Sequence, residues 1–162
     1  MTEGKPAEEN LDAAEPLYVE ALALARETAE QRSIVVQLLN LAAVSIARES
    51  GESARANLIE AADIVEQLGS KVLWLNLLQI VSGFAAFRGQ WRRAAQLHGG
   101  VVAQCQQMGF RLDPTDEAFL VPLIARVREA LGEPAFWAAE SAGRSLPFDA
   151  IVNEARAWLA EA

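Results

Sequence analysis

Apolar residues recur along most of this chain at spacings of three and four, which is the pattern of helices with one buried face. In the first part of the chain they form one stripe, made of Leu11, Ala14, Leu17, Tyr18, Ala21, Leu22 and Ala25. The stripe predicts a helix from about Asp12 to Ala29, with Asp12 as the N-cap. Pro16 then falls just inside the first turn, where its missing N–H costs little.

Glycines and capping residues divide the next part of the chain into four more helices. Their predicted bounds are about Arg32–Glu49, Ser53–Leu68, Lys71–Arg88 and Trp91–Met108. Gly69, Gly89 and Gly109 follow the last three, as glycine commonly does at the left-handed end of a helix. The helix that starts at Lys71 is apolar almost all round, so we expect it at the centre of the fold with Phe84 in the core.

The last third of the chain predicts three further helices. Their predicted bounds are about Pro114–Leu131, Glu133–Ala142 and a final helix that starts after Ser145. Asp113 followed by proline is a common helix start. We expect Gly143 to end the second of these helices and Ser145 to cap the third. β-Branched residues do not cluster in alternating runs, so the whole chain is predicted to be all-α.

The chain also repeats itself with a period of 40 residues. Ala14, Ala54 and Ala94 fall in register, and Gln67-Leu68-Gly69 returns as Gln107-Met108-Gly109. A fixed period of this length is typical of stacked helical hairpins. We therefore predict one structural domain, an α-solenoid of helical hairpins over residues 11–110. A flexible acidic terminus over residues 1–10 precedes it, and capping helices over residues 111–162 close it.

Two of the repeats resemble degenerate tetratricopeptide (TPR) repeats. Leu41-Ala42 and Val81-Ser82 stand where that pattern has Leu-Gly, and Ala54 with Leu58 and Ala61 stands where it has its second-helix positions. Small residues replace the glycine, and the period is 40 instead of 34. The resemblance implies TPR-like hairpins with one concave and one convex face.

A longer stretch is similar to the C-terminal helical-repeat region of large bacterial regulators of the LuxR and AfsR type. The similarity rests on Arg88-Gly89-Gln90, Arg93-Ala94-Ala95, Leu131-Gly132-Glu133, Ala135-Phe136 and Gly143-Arg144-Ser145-Leu146. It implies a non-catalytic protein–protein interaction module of a bacterial signalling or transcriptional regulator. The alternative is a sensor that binds a small molecule or short peptide and relays this to attached domains. The chain has neither a phosphate-binding loop motif nor an evident helix-turn-helix, so the resemblance implies an interaction segment of a longer regulator.

TPR geometry implies a partner-binding groove on the concave face. Carrying positions across gives its residues as Val36, Leu39, Asn40, Ala43, Ile46, Asn76, Gln79, Gly83 and Phe87. Such a groove is mainly apolar with a few amides, which suits an apolar helix or an extended segment of a protein or peptide. The alternative is that these residues meet the closing cap or a second copy of the chain.

Charge is distributed unevenly along the chain, whose net charge is −8. Residues 1–30 are strongly acidic, whereas residues 67–112 contain no carboxylate. Arg88, Arg92 and Arg93 form a basic turn there, which could orient an acidic partner or self-association. So few basic residues are thin for a nucleic-acid surface, so we do not expect nucleic-acid binding by this segment. The apolar stripe of the first helix has no preceding helix to cover it, so we expect a homodimer.

The sequence offers no catalytic or metal-binding constellation. The single histidine, His98, and the single cysteine, Cys105, are seven residues apart, about 10 Å along a helix, which is too far for a catalytic pair. We expect both to be packing residues and the protein to be no enzyme, with no cofactor and no metal. Gly99-Gly100 should mark a close helix–helix contact. The polar N-terminus, the lack of a membrane-spanning segment and the lone cysteine favour a cytoplasmic location.

Overall fold

The computed structural model of the protein describes residues 6–161, with side chains from residue 11 onward. The described residues form eight helices and no strand: α1 (Pro6–Glu27), α2 (Gln31–Ala47), α3 (Gly51–Leu68), α4 (Lys71–Phe87), α5 (Trp91–Met108), α6 (Pro114–Leu131), α7 (Glu133–Arg144) and α8 (Phe148–Glu161). The prediction of an all-α chain is confirmed. Of the acidic terminus predicted to be flexible over residues 1–10, residues 1–5 lie outside the described residues and residues 6–10 belong to α1.

The first helix begins earlier than its apolar stripe predicts, at Pro6 and not after Asp12. Asp12 is not an N-cap, because Arg48 of α2 forms ion pairs with it and with Glu15. Pro16 consequently lies in the interior of α1, where it removes the backbone hydrogen bond to the carbonyl of Asp12. Ion pairs between helices, which the local sequence does not reveal, thus accompany the longer α1.

A residue with left-handed backbone follows each of the first five helices. These residues are Ala29, Glu49, Gly69, Gly89 and Gly109, with φ angles of 55°, 59°, 63°, 74° and 65°. Each stands twenty residues after the one before it, so two helices with their turns occupy forty residues, which is the period of the sequence. Glycine adopts this conformation freely, whereas alanine and glutamate adopt it at a cost. Because Glu49 turns the chain, α2 ends at Ala47, ahead of the predicted bound.

Helix α4 lies at the centre of the fold, as its all-round apolar surface predicts. It packs against α2, α3, α5, α6 and α8. Phe84 is fully buried, and the centroid of its ring lies 5.4 Å from the ring of Trp158 in α8. The buried apolar side chains form one cluster that runs from Ala25 to Leu159. The last three helices therefore share one core with the repeats.

Two predicted boundaries near the C-terminus are wrong. Gly143 does not end a helix but lies inside α7, where its backbone packs against Gln96 of α5 and leaves no room for a side chain. Ser145 does not cap the last helix; it ends α7. The carbonyl of Pro147 instead accepts the first backbone N–H groups of α8.

The predicted close contact at Gly99 and Gly100 is confirmed. A side chain at Gly99 would collide with the carbonyl of Glu140 in α7, and a Cβ at Gly100 would lie 2.7 Å from the Cδ1 atom of Ile151 in α8. Such spacing is closer than real Cβ contacts allow. Glycine therefore lets α7 and α8 approach the same helix closely.

Candidate functional site

An open cleft of about 550 Å³ lies between α1, α2, α4 and the turn that joins α5 to α6. Leu39, Leu73 and Ile80 contribute buried apolar side chains to its floor. Val36 and Val72 also line the cleft and are 43% and 36% exposed. The cleft thus offers an apolar surface that is accessible from solvent.

Two amide side chains lie among these apolar residues. Asn40 of α2 and Asn76 of α4 both line the cleft and are partly buried. The Asn40 side chain donates only a long hydrogen bond, 3.5 Å, to the Oε1 atom of Gln37. A carboxamide can donate and accept at once, so the pair can bind both the N–H and the C=O groups of a peptide backbone.

One end of the cleft carries charge from the start of α6. Asp113 caps that helix, since its carboxylate accepts the backbone N–H of Thr115 at 2.8 Å, as the sequence predicts. Asp116 also lines the cleft and is partly buried. Burial, and to a lesser degree the negative charge of Asp113, raises the pKa of Asp116. A basic group of a partner at this end would relieve that unfavourable environment.

Four of the nine predicted groove residues line this cleft. They are Val36, Leu39, Asn40 and Asn76. Ala43 is partly buried further along α2, and Ile46 is only 3% exposed. Phe87 is half-buried, and its ring stacks against Phe84 at 6.3 Å, so it belongs to the packing of α4.

The remaining two predicted groove residues, Gln79 and Gly83, lie beneath α6. A Cβ at Gly83 would lie 2.9 Å from the ring of Phe119 and 3.2 Å from the Cδ1 atom of Leu123. The missing side chain at Gly83 therefore allows α6 to lie directly on α4. At this point the closing helices cover the groove, which is the alternative that the sequence leaves open.

Sequence reasoning missed the contributions of α1 and of the turn between α5 and α6. Tyr18, Phe110, Arg111 and Thr115 line the cleft but were not among the predicted residues. Tyr18 was assigned to the buried stripe of α1, and it is indeed only partly exposed. The run of polar residues after Leu112 was the available signal, because a helix start that points back toward the repeats brings such residues to the concave side.

The basic turn does not form a single cationic patch. The Arg88 guanidinium lies 5.2 Å from the ring centroid of Phe84 and 3.9 Å from a carboxylate oxygen of Glu52. The guanidinium of Arg93 lies 5.5 Å from the ring centroid of Trp158. Arg92 is exposed. Two of the three predicted arginines therefore take part in packing within the protein.

A second cavity, of about 430 Å³, lies between α4, α5 and α6. Most of its lining is apolar, including Val102, Leu120 and Ile124. Gln79 of α4 and His98 of α5 are its inner polar residues. This cavity is separate from the open cleft, whose lining shares none of its residues.

His98 and Cys105 lie where packing residues are expected. Burial lowers the pKa of His98, and the nearby charges of Arg144 and Arg128 oppose its protonation, whereas Glu140 favours it. Burial raises the pKa of Cys105, so its thiol stays protonated and is a poor nucleophile. No group of three or more histidine, cysteine, aspartate or glutamate side chains that could hold a metal ion occurs among the described residues.

The outer face of α1 carries exposed apolar side chains. Leu17, Val19 and Leu24 are 64%, 53% and 60% exposed. Leu17 belongs to the stripe that the sequence predicts to be buried, but Tyr18 and Ala25 face α2 in its place. This face is therefore an apolar surface separate from the cleft.

Within residues 6–161, no helix combines the length and the apolar character that crossing a membrane requires. Comparisons of the chain with known protein families, with curated proteins and with solved structures find no match in any of the three.

Proposed function

We propose that the protein is a non-catalytic interaction module of a bacterial signalling or transcriptional regulator. In this proposal, α1–α5 are TPR-like hairpins of a short α-solenoid, and α6–α8 close it. Two observations support the solenoid. Left-handed turn residues recur every twenty residues from Ala29 to Gly109, and α2, α4 and α6 pack in series along one side. Serial packing of equivalent helices is what stacked hairpins require.

The open cleft supports an extended segment of a partner protein as the ligand. Its floor of Leu39, Leu73 and Ile80 can bury apolar side chains of such a segment. Asn40 and Asn76 can pair with the segment's backbone, which an extended chain exposes and a helix does not. The acidic end at Asp113 and Asp116 favours a basic residue in the segment. The single observation that carries the proposal is this combination of accessible apolar floor and unshielded amides.

Site-specific photocrosslinking in bacterial cells tests the proposal. A benzophenone amino acid replaces Val36, which is exposed inside the cleft, or Leu24, which is exposed on α1 outside it. We expect a crosslinked partner at position 36 that is absent at position 24. Equal crosslinking at both positions, or none at position 36, would contradict a role for the cleft. An adduct of twice the protein's mass at position 24 would support self-association through α1.

A sensor of small molecules is the second candidate function. The observation that favours it is the cavity between α4, α5 and α6, which has a largely apolar lining and few polar groups. Pockets of this size and lining are typical of small-molecule sites. Because α6 covers this cavity and also contributes to the cleft, a ligand there would be able to influence partner binding.

A further inference from the structure

Gln79 is the most unusual polar side chain in the core of this protein. It lies in the middle of α4 and is 1% exposed. Both its Nε2 and Oε1 atoms are buried, and neither has a hydrogen-bond partner among residues 11–161. By contrast, the hydroxyl of Ser82, which is also buried, donates to the backbone carbonyl of Gln79 at 2.8 Å. Leaving both ends of a buried amide unpaired is costly, so such a group in a native protein calls for an explanation.

The position of Gln79 supplies that explanation. Its side chain contributes to the lining of the cavity between α4, α5 and α6, which the interaction function proposed above does not use. Val102, Leu120 and Ile124 give most of the surrounding surface an apolar character. The terminal torsion of a glutamine side chain is broad, so either the amide nitrogen or the oxygen can turn toward a molecule in the cavity.

The charges around the cavity favour an uncharged ligand. His98 is the other inner polar group, and it faces Glu140 and Arg144 of α7 and Arg128 of α6. Burial keeps its imidazole neutral at pH 7 because it lowers the pKa of His98, so it offers one donor and one acceptor. The charged residues of the lining, Glu117 and Arg128, are exposed and therefore belong to the mouth of the cavity.

We infer that this cavity binds a small uncharged molecule with an apolar body and a cis-amide edge, and that Gln79 recognises that edge. A primary carboxamide presents one donor and one acceptor side by side, so its complement is an N–H and a C=O on the same side of a ring. Lactams and cyclic imides have this edge. A site built to pair with it rejects an analogue of the same shape that lacks it, because the buried amide would then stay unpaired.

The test uses 2-quinolone as the probe, because it carries a lactam edge on an apolar bicyclic ring, and naphthalene as its control without the edge. The full-length protein, labelled with ¹⁵N, is titrated with each compound. We expect 2-quinolone to shift the side-chain NH₂ resonances of Gln79 in a saturable manner and naphthalene to leave them in place. The absence of such a shift up to the solubility limit of 2-quinolone would overturn the inference.

Two variants separate the role of Gln79 from general packing. Gln79→Leu removes the amide, and Gln104→Leu is the matched control, because Gln104 is also buried but does not line the cavity. We expect Gln79→Leu to weaken 2-quinolone binding at least tenfold and Gln104→Leu to leave it within twofold. Equal binding by wild type and Gln79→Leu would overturn the inference. Circular dichroism verifies that both variants are folded, and the wild-type titration decides the question if either is not.

Discussion

The backbone of Gly143 in α7 packs directly against the backbone carbonyl of Gln96 in α5. One turn along, Gly99 of α5 packs against the carbonyl of Glu140 in α7 in the same manner. Each helix thus presents a glycine to a carbonyl of the other, and neither position has space for a methyl group. This reciprocal contact joins the closing helices to the repeats.

We expect Gly143→Ala to destabilise the protein, although alanine is the better helix former. A Cβ at this position would meet main-chain atoms of Gln96, which cannot move aside as a flexible side chain can. Overpacking of this kind costs about 1–3 kcal/mol or more. Gly51→Ala is the control, because its Cβ would meet only the flexible side chain of Arg88. Urea denaturation measures both, and equal free energies of unfolding for the two variants would refute the close contact.

The turns after α1 and α2 predict the opposite effect of glycine. Ala29 and Glu49 hold φ angles of 55° and 59°, where a Cβ is strained. We expect Ala29→Gly and Glu49→Gly each to raise the free energy of unfolding by about 1 kcal/mol. Ala56→Gly is the control, since Ala56 is exposed inside α3 and its replacement should cost roughly 0.5–1 kcal/mol. Destabilisation by all three variants would show that the turns are not left-handed.

Two tryptophans of the closing helices predict very different losses. Trp158 is buried against Phe84, whereas Trp137 is 45% exposed and donates a hydrogen bond to Glu133 one turn earlier in its own helix. We expect Trp158→Ala to cost about 3–5 kcal/mol of unfolding free energy. Trp137→Ala should cost less than about 1 kcal/mol, as surface substitutions usually do. Thermal unfolding followed by circular dichroism distinguishes them, and similar melting temperatures would contradict the packing of α8.

His98 predicts a loss of stability in mild acid. Because burial lowers the pKa of His98 below its ordinary value of 6.5, the folded protein binds this proton less tightly than the unfolded chain. The stability contributed by the neutral imidazole is therefore present above pH 6.5 and decreases as the pH falls toward the lowered pKa. We expect wild type to lose more stability between pH 7.5 and 5.5 than His98→Gln. Parallel denaturation curves at the two pH values for both proteins would argue against a buried neutral imidazole.

Periodicity predicted what depends on local pattern. The apolar positions gave the helices, and the uniformly apolar segment around Phe84 indicated the central helix. The sequence could not reveal that α1 starts at Pro6, since its pairing partner Arg48 lies in another helix. Gly143 carried the ordinary signal of a helix end, and only the tertiary contact with Gln96 explains why it lies inside α7.

The predicted groove illustrates the same limit. Repeat geometry assigned Val36, Asn40 and Asn76 to the concave side, and all three line the cleft. It also assigned Gln79 and Gly83, which lie under α6. Position within a repeat says which way a side chain points, but it does not say where the closing helices return. That depends on long-range packing, which no local pattern encodes.

The interaction role of the cleft is tested most directly by peptide affinity. Peptides are selected from a random display library against the wild-type protein, and their dissociation constants are measured for wild type, Asn76→Leu and Arg92→Ala. Asn76 lines the cleft, whereas Arg92 is exposed outside it. We expect at least tenfold weaker binding by Asn76→Leu, because backbone hydrogen bonds of the peptide are lost, and no change for Arg92→Ala. Unchanged affinity for Asn76→Leu, or a loss confined to Arg92→Ala, would contradict binding in the cleft.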